Sequence, residues 1–188
     1  MADKKNDRLP PIPPEKLNHN QTRALEELVK GPRKAFGGPF IPLLRSPDLL
    51  TRVQWLGAYI RYSGAVPERL REFAIAVTAR EWRQVYEWFG HAPLAEKLGV
   101  DPKALAELSK GRISPALKED ERIVYDFCSE LHRQHSVSDA VYARVLGLVG
   151  EAGVMELTAL CGYYVLIAMV LNVAQTPMPP GTPDPFAE

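Results

Sequence analysis

The chain has 188 residues and a mass of 21.0 kDa, enough for one domain with a buried core and too short for two comfortable ones. Its 23 Lys and Arg residues balance 23 Asp and Glu residues, which argues against a general nucleic-acid-binding protein, because such proteins need a basic surface. The 2 cysteines form no CxxC pair, which argues against a zinc knuckle, a thioredoxin-type dithiol and a disulfide scaffold.

The first part of the chain, residues 1–14, is charged and rich in proline, and we expect it to be a flexible lead-in. It contains no apolar stretch of the kind that a secretory signal needs, so we expect a cytoplasmic protein. A first helix is predicted from Pro14 to Val29, with Gly31 and Pro32 as its stop signal. The segment from Gly37 to Pro42 predicts a loop.

The chain from residue 46 to residue 176 shows helical periodicity and no strand-like alternation. The signals, in chain order, are a Ser46 hydroxyl cap before Pro47, a start at Pro67, a stretch from Arg80 to Leu98, an Asp101–Pro102 cap with a stop at Gly111, a helix from about Lys118 to Arg133, and a Ser138 cap with an end near Gly150. We therefore predict an all-α fold of seven or eight helices in a single domain, 1–188, with a proline-rich tail at 177–188.

The last predicted helix is uncharged from Leu157 to Thr176, and it is long enough to cross a membrane. It nevertheless carries polar residues such as Thr158 and Asn172, and no Lys/Arg cluster flanks it. We expect no membrane span, but a helix buried on nearly all sides by its own domain and by a second subunit.

The segment 80–91 is the densest cluster of aromatic and titratable residues. Glu87 and His91 lie four positions apart, so on a continuous helix they share a face. A carboxylate beside an imidazole suits general acid–base chemistry, and Tyr86 and Trp88 are candidate walls for such a pocket. The alternative is a surface pair that adds only a few tenths of a kcal/mol to the helix.

Two neighbouring features bear on this cluster. Pro93 disfavours helical angles at Ala92, just after His91. Glu72 is a second candidate carboxylate, between Arg71 and Phe73 on a helix whose other faces are apolar. The alternative for Glu72 is an ordinary salt-bridged glutamate.

The remaining metal-ligand types give weaker signals. His132 and His135 are spaced as HxxH, but no third ligand stands at a recognisable spacing, so we predict no metal site. Cys128 and Cys161 fall in apolar helical stretches, where packing is a more usual role than nucleophilic catalysis.

Five short blocks stand out in order along the chain: 38–40 (Gly-Pro-Phe), 43–47 (Leu-Leu-Arg-Ser-Pro), 69–72 (Arg-Leu-Arg-Glu), 86–91 (Tyr-Glu-Trp-x-x-His) and 171–174 (Leu-Asn-Val-Ala). Together they resemble the carboxymuconolactone decarboxylase family, which belongs to the AhpD-like superfamily of alkylhydroperoxidases. The resemblance covers roughly residues 36–180. It implies an all-helical domain that assembles as homo-oligomers, trimers or hexamers, in keeping with an uncharged last helix.

The resemblance implies one of two activities. The peroxidase branch uses a glutamate, two redox cysteines and a histidine; counted from Glu72, those places here hold Gln84, Glu87 and His91. Both cysteines are therefore missing, and disulfide exchange requires thiols. The resemblance thus disfavours peroxidase activity by the route used in that branch.

The other branch consists of cofactor-free decarboxylases, and this is the function that we predict, on a small anionic lactone or β-keto acid. His91 is the expected proton donor or oxyanion partner, Glu87 would orient it, and Glu72 would complete the relay. The expected substrate contacts are walls from Trp82, Tyr86 and Trp88 and an anion contact from Arg80 or Arg83. The rival hypotheses are a thiol peroxidase and a non-catalytic oligomeric binding protein.

Overall fold

The computed structural model describes residues 7–34 and 36–187, so residues 1–6 of the expected lead-in and the last residue of the tail lie outside it. The described residues form eight α-helices and no strand, which confirms the all-α prediction. The helices are α1 (His19–Lys30), α2 (Phe40–Leu43), α3 (Pro47–Tyr62), α4 (Glu68–Glu81), α5 (Val85–Lys97), α6 (Pro102–Ser109), α7 (Glu119–Gln134) and α8 (Asp139–Ala174).

Helix α4 is the centre of the bundle. It packs against α5, α6, α7 and α8, and every residue from Leu70 to Ala79 is buried. Apolar side chains supply most of this surface, but Glu72 and Thr78 are buried as well. Six positions separate these two residues, so they leave α4 in different directions. The central helix therefore delivers polar groups to two separate places in the core.

The start of the bundle differs from the predicted helix over Pro14–Val29. A 3-10 turn at Pro14–Lys16 comes first, and α1 begins only at His19. The reason is a capping box, in which the Asn18 side chain accepts from the Gln21 backbone N–H at 2.9 Å. The Gln21 side chain in turn accepts from the Asn18 backbone N–H at 3.0 Å.

Three local predictions are wrong in detail. The predicted loop from Gly37 to Pro42 contains the short helix α2. Pro47 does begin α3, but the Ser46 side chain makes no capping hydrogen bond. Pro93 lies inside α5 without ending it, because the buried face of that helix packs against α4 and outweighs the loss of one backbone hydrogen bond.

Helix α8 is the one described helix whose length and composition would allow it to cross a membrane, and half of its most apolar stretch is buried. A kink at Gly150, with a φ of +69°, stands near the predicted helix end. The single chain alone does not bury this helix on nearly all sides, and burial by a second subunit stays a prediction. Met155, Met169 and Val173 are 61%, 47% and 65% exposed, so an apolar face of α8 remains open.

Both ends of the described chain contact the bundle. The Arg8 backbone N–H donates to the Ala174 carbonyl at 2.9 Å, and the Pro10 carbonyl accepts from Arg45 at 2.5 Å. In the tail, Phe186 is buried and packs edge-on against Trp88 with ring centroids 5.4 Å apart. The described part of the lead-in is thus attached to the bundle instead of extending freely.

Candidate active site

The turn between α4 and α5 sets the direction in which α5 leaves. Arg83 adopts a φ of +46° in this turn, and the Gln84 side chain caps α5 by accepting from the Tyr86 backbone N–H at 2.9 Å. The amide of Gln84 also donates to Asn172 of α8 at 2.8 Å. This contact fixes the start of α5 against the end of α8, so that Glu87 and His91 face the interior.

His91 lies between two carboxylates. Its Nδ1 is 2.5 Å from Oε2 of Glu72, and its Nε2 is 3.4 Å from Oε2 of Glu87. All three residues are buried. The contacts differ from the order expected from the sequence, because Glu72 is the carboxylate that holds the ring most tightly and Glu87 stands at the other nitrogen.

The charges of this trio stabilise one another. Burial disfavours a charged imidazolium, but hydrogen bonds to Glu72 and Glu87 outweigh it and raise the pKa of His91 above 6.5. Burial likewise works to raise the pKa of Glu72, yet the bonds from His91 and Arg61 lower it below 4.5. Both shifts favour the charged pair, a Glu72 carboxylate bound to a His91 imidazolium, over the neutral pair.

Arg61, at the end of α3, is the second cation at Glu72. Its Nη2 is 3.3 Å from Oε1 of Glu72, and its guanidinium lies over the Tyr62 ring, 5.3 Å from the ring centroid. Its Nε is buried and makes no hydrogen bond among the described residues. Arg61 thus neutralises Glu72 on one side and keeps an unused donor on the other.

A cavity of about 450 Å³ opens beside the trio. His91 and Glu87 belong to its wall, whereas Glu72 stands behind His91. The other polar groups in the wall are Arg33, Arg61, Tyr62, Tyr86, Tyr163 and Tyr164, and Phe36, Phe40, Leu94 and Ile167 provide apolar surface. The cavity therefore combines cations, neutral phenols and apolar walls, which suits a small anion with a ring or carbon skeleton.

Arg33 is the second guanidinium in the wall. It lies over the Phe40 ring at 4.9 Å, and its Nη2 donates to the Tyr163 hydroxyl at 3.2 Å. As in Arg61, its Nε is buried without a hydrogen-bond partner in the described chain. A Cβ on Gly57 would come within 2.1 Å of the Tyr163 hydroxyl and 2.3 Å of the Arg33 guanidinium, so the helix needs glycine at this position.

The two adjacent tyrosines of α8 remain neutral. Burial raises the pKa of Tyr163 to about 12 and that of Tyr164 well above 10.0. The Tyr164 ring packs edge-on against His91, with centroids 5.1 Å apart. It therefore helps to hold the imidazole plane that Glu72 orients.

Tyr86 is the one predicted substrate-binding residue that the structure places in the cavity wall. Its ring closes on the loop before α2, where Gly38 has a φ of +54°. A Cβ at Gly38 would lie 2.6 Å from that ring. The close approach and the left-handed backbone both require glycine here.

The other four predicted substrate contacts lie elsewhere, and three of them surround the C-terminal tail. Trp88 packs on the Phe186 ring, the Arg80 guanidinium lies 5.6 Å above that ring, and Arg83 donates to the Phe186 carbonyl at 2.9 Å. Trp82 caps the end of α4. One helical position turns a side chain by about 100°, so Trp88 leaves α5 away from its neighbour Glu87.

Arg33, Arg61, Tyr163 and Tyr164 are the site residues that sequence reasoning missed. Arg61 directly follows the apolar stripe of α3, and the two tyrosines lie on α8 in the uncharged stretch 157–176. These sequence contexts were the available signals, because a polar side chain in an apolar stretch is buried and then needs a polar partner. Nothing in their spacing connects them with His91, because the tertiary fold brings them together.

Comparisons of the chain with models of protein families, with curated proteins and with solved structures gave no match. The described residues contain no group of three or more His, Cys, Asp or Glu side chains arranged to hold a metal ion. What the site offers is anion binding by two guanidinium groups and proton transfer at His91.

Proposed function

We propose that the chain is a member of the carboxymuconolactone decarboxylase family, with the AhpD-like helical fold, and acts as a cofactor-independent carboxy-lyase on a small anionic lactone or β-keto acid. The observation that carries the proposal is His91, held between the buried carboxylates of Glu72 and Glu87 at the wall of the cavity. Loss of carbon dioxide from such a substrate needs an anion-binding site, an oxyanion partner and a proton donor.

The two arginines of the wall supply the first two requirements. Both Arg33 and Arg61 line the cavity and bring positive charge to its wall. A bound carboxylate accepts hydrogen bonds from these guanidinium groups. We assign the substrate carboxylate and the developing enolate oxygen to this pair.

His91 supplies the proton. When the bond to the carboxylate carbon breaks, carbon dioxide leaves and the electron pair is delocalised into the neighbouring carbonyl as an enolate. The His91 imidazolium then transfers a proton from Nε2 to the carbanionic carbon, and solvent restores it. In this scheme Glu72 orients the ring through Nδ1. The Glu87 carboxylate stabilises the positive charge of the ring at Nε2, the atom that gives up the proton.

We also propose that the protein works as a homo-oligomer, a trimer or a hexamer. The support is the exposed apolar face of α8, with Met155, Met169 and Val173, and the exposed Trp55 and Leu56 on α3. Apolar surface of this kind marks interaction sites when it is contiguous. Sedimentation velocity on the purified protein measures the assembly directly.

The test of the activity is a panel of carboxylated lactones and β-keto acids incubated with the purified protein, with release of carbon dioxide as the readout. We expect turnover of at least one compound, and a loss of about 100- to 10,000-fold in kcat for His91→Asn. The matched control is His135→Asn, the same substitution at an exposed histidine at the end of α7, which should keep full activity.

The rival hypotheses give different results in the same experiment. Specific binding of a panel compound without turnover, unaffected by His91→Asn, would indicate a binding protein and overturn the proposal. Rapid consumption of hydroperoxide with a thiol reductant, together with no release of carbon dioxide, would favour the peroxidase. Equal activity of His91→Asn and the wild-type protein would show that His91 is not the proton donor.

A further inference from the structure

A second cluster of reactive side chains lies in the core, where α7 and α8 pack against α4. Cys128 of α7 and Cys161 of α8 face each other with their Sγ atoms 3.6 Å apart. Their side chains are buried, with 0% and 1% of the residue exposed. Neither thiol belongs to the cavity at His91, so the function proposed above makes no use of them.

Two polar groups accompany the thiols. The Thr78 hydroxyl of α4 donates to the Ala74 carbonyl at 3.0 Å, and its oxygen lies 3.0 Å from Nε2 of His132. Since the single hydroxyl proton is already used, the Nε2–H of His132 is assigned as the donor to Thr78. Thr78 and His132 both lie beside the sulfur of Cys161 and favour its thiolate form.

This environment makes the two thiols unequal. The contact with the Cys128 thiol, followed by the neighbouring His132 and Thr78, lowers the pKa of Cys161 against the effect of burial. The same thiol–thiol contact and burial raise the pKa of Cys128. His132 and Thr78 lie beside Cys161 and not beside Cys128, so we assign Cys161 as the attacking thiol. Cys128, 3.6 Å away, is then the thiol that attacks the sulfenic acid formed on Cys161.

We propose that Cys128 and Cys161 form a redox site, in which a small hydroperoxide converts the dithiol into a disulfide that joins α7 to α8. The two sulfur atoms must approach by about 1.5 Å to reach the S–S bond length. Because both thiols are buried, we expect a small uncharged oxidant such as hydrogen peroxide to react with them and a bulky disulfide such as oxidised glutathione not to. The proposal does not depend on the function assigned to the cavity.

The reaction balances in two steps. The Cys161 thiolate attacks one peroxide oxygen, the O–O bond breaks, and the leaving oxygen takes up the thiol proton as water. The Cys128 sulfur then attacks the sulfenic acid of Cys161, the S–O bond breaks, and hydroxide leaves with the Cys128 proton as a second water. The sulfurs lose two electrons, which reduce the peroxide.

The test exposes the reduced, folded, full-length protein to hydrogen peroxide, followed by denaturation, thiol alkylation and intact mass spectrometry. We expect the wild-type protein to lose both alkylatable thiols and two hydrogen atoms, and to regain the thiols on reduction after denaturation. Two thiols still alkylatable after exposure, or a disulfide between two chains, would overturn the proposal. So would oxygen that peptide mass spectrometry locates on Cys128 or Cys161 without loss of hydrogen, because it indicates oxidation of single cysteines. Oxygen on the exposed Met155 or Met169 has no bearing on the proposal.

Variants test the assigned order. Cys128→Ala should retain a Cys161 sulfenic acid that dimedone traps, while Cys161→Ala should leave Cys128 unoxidised; the reverse result contradicts the order. His132→Asn should slow disulfide formation several-fold at neutral pH, and His135→Asn on the same helix should not. Equal rates of disulfide formation in these two variants would show that His132 does not promote the reaction of the thiols.

Discussion

The cavity cluster at His91 and the thiol cluster at Cys161 both depend on α4, but they are built in opposite ways. Glu72 brings a charge into the core, where His91 and Arg61 compensate it and a cavity adjoins it. Thr78 brings a neutral hydroxyl to a pair of thiols that are sealed from solvent. The first cluster leaves guanidinium donors for a ligand, and the second satisfies its polar groups internally.

The largest difference between the two clusters should be the loss in free energy of unfolding when one glutamate carboxylate near each cluster is removed. Glu72→Gln leaves His91 and Arg61 facing a neutral group in the core, and we expect a loss of about 3 kcal/mol in the free energy of unfolding. Glu81→Gln is the control near the thiols, because its partner Arg133 is 53% exposed at the side chain; that loss should stay below about 1 kcal/mol. Urea denaturation measures both, and similar losses for the two variants would contradict the comparison.

A smaller effect is expected where the cavity wall meets α3. Gly57→Ala forces a methyl group against Tyr163 and Arg33, so we expect a loss of about 1–3 kcal/mol in unfolding free energy. Gly147→Ala, in an open helical position of α8, should instead raise stability by roughly 0.5–1 kcal/mol. Thermal and urea unfolding measure both variants. If Gly57→Ala were as stable as its control, Tyr163 and Arg33 could not lie as close to Gly57 as the structure places them.

The next largest effect is the pH dependence of stability, which we expect from the cavity cluster and not from the thiol cluster. The pKa of His91 is raised, so its contribution is complete below pH 6.5 and declines as pH rises through the folded value. The pKa of Glu72 is lowered, so its contribution is complete above pH 4.5 and declines as pH falls through the folded value. The pair should therefore stabilise most between these limits.

Urea midpoints across this pH range provide the measurement. Glu72→Gln should flatten both limbs of the profile, since it removes the partner that shifts His91. Cys128→Ala should leave the acidic limb unchanged, because no carboxylate of the cavity cluster contacts it in the described structure. An unchanged profile in Glu72→Gln would show that other groups set the pH dependence.

The smallest expected effect is the coupling between the clusters. The double variant His91→Asn with Cys128→Ala should lose the sum of the two single losses to within about 0.5 kcal/mol. The two residues share no hydrogen-bond partner. A larger coupling energy in this cycle would mean that α4 transmits strain from one cluster to the other, and the two sites would then have to be treated as one.

The sequence predicts those parts of the site that depend on local geometry. Glu87 and His91 share a face because α5 is continuous over their four-residue spacing. The contact of Glu72 with His91 joins two helices, and only the family resemblance indicated it. Arg33 and Arg61 could not be identified, because their approach depends on how α1, α3 and α8 pack.

The errors in the fold have a similar cause. A proline or a serine gives only a local preference. The packing of α5 outweighs that preference at Pro93, and the Ser46 side chain makes no capping hydrogen bond although Pro47 begins α3. The exposed face of α8 is a different case, since the periodicity of an apolar helix does not tell how many neighbours a single chain provides. Several boundaries followed from caps, such as Asp101 at α6 and Ser138 at α8. The set of helices did not, because two predicted helices form the single kinked helix α8 and α2 was predicted as a loop.

The complete burial of α4 has a consequence for hydrogen exchange. The amide hydrogens from residue 70 to residue 79 lie in a helix that contacts four others, so no small opening exposes them. They should exchange with deuterium only when the whole domain unfolds, while the amides of the exposed ends of α1 and α6 exchange earlier. Glu72 is thereby fixed to the slowest-exchanging segment of the chain, and the histidine it holds keeps its position for as long as the protein stays folded.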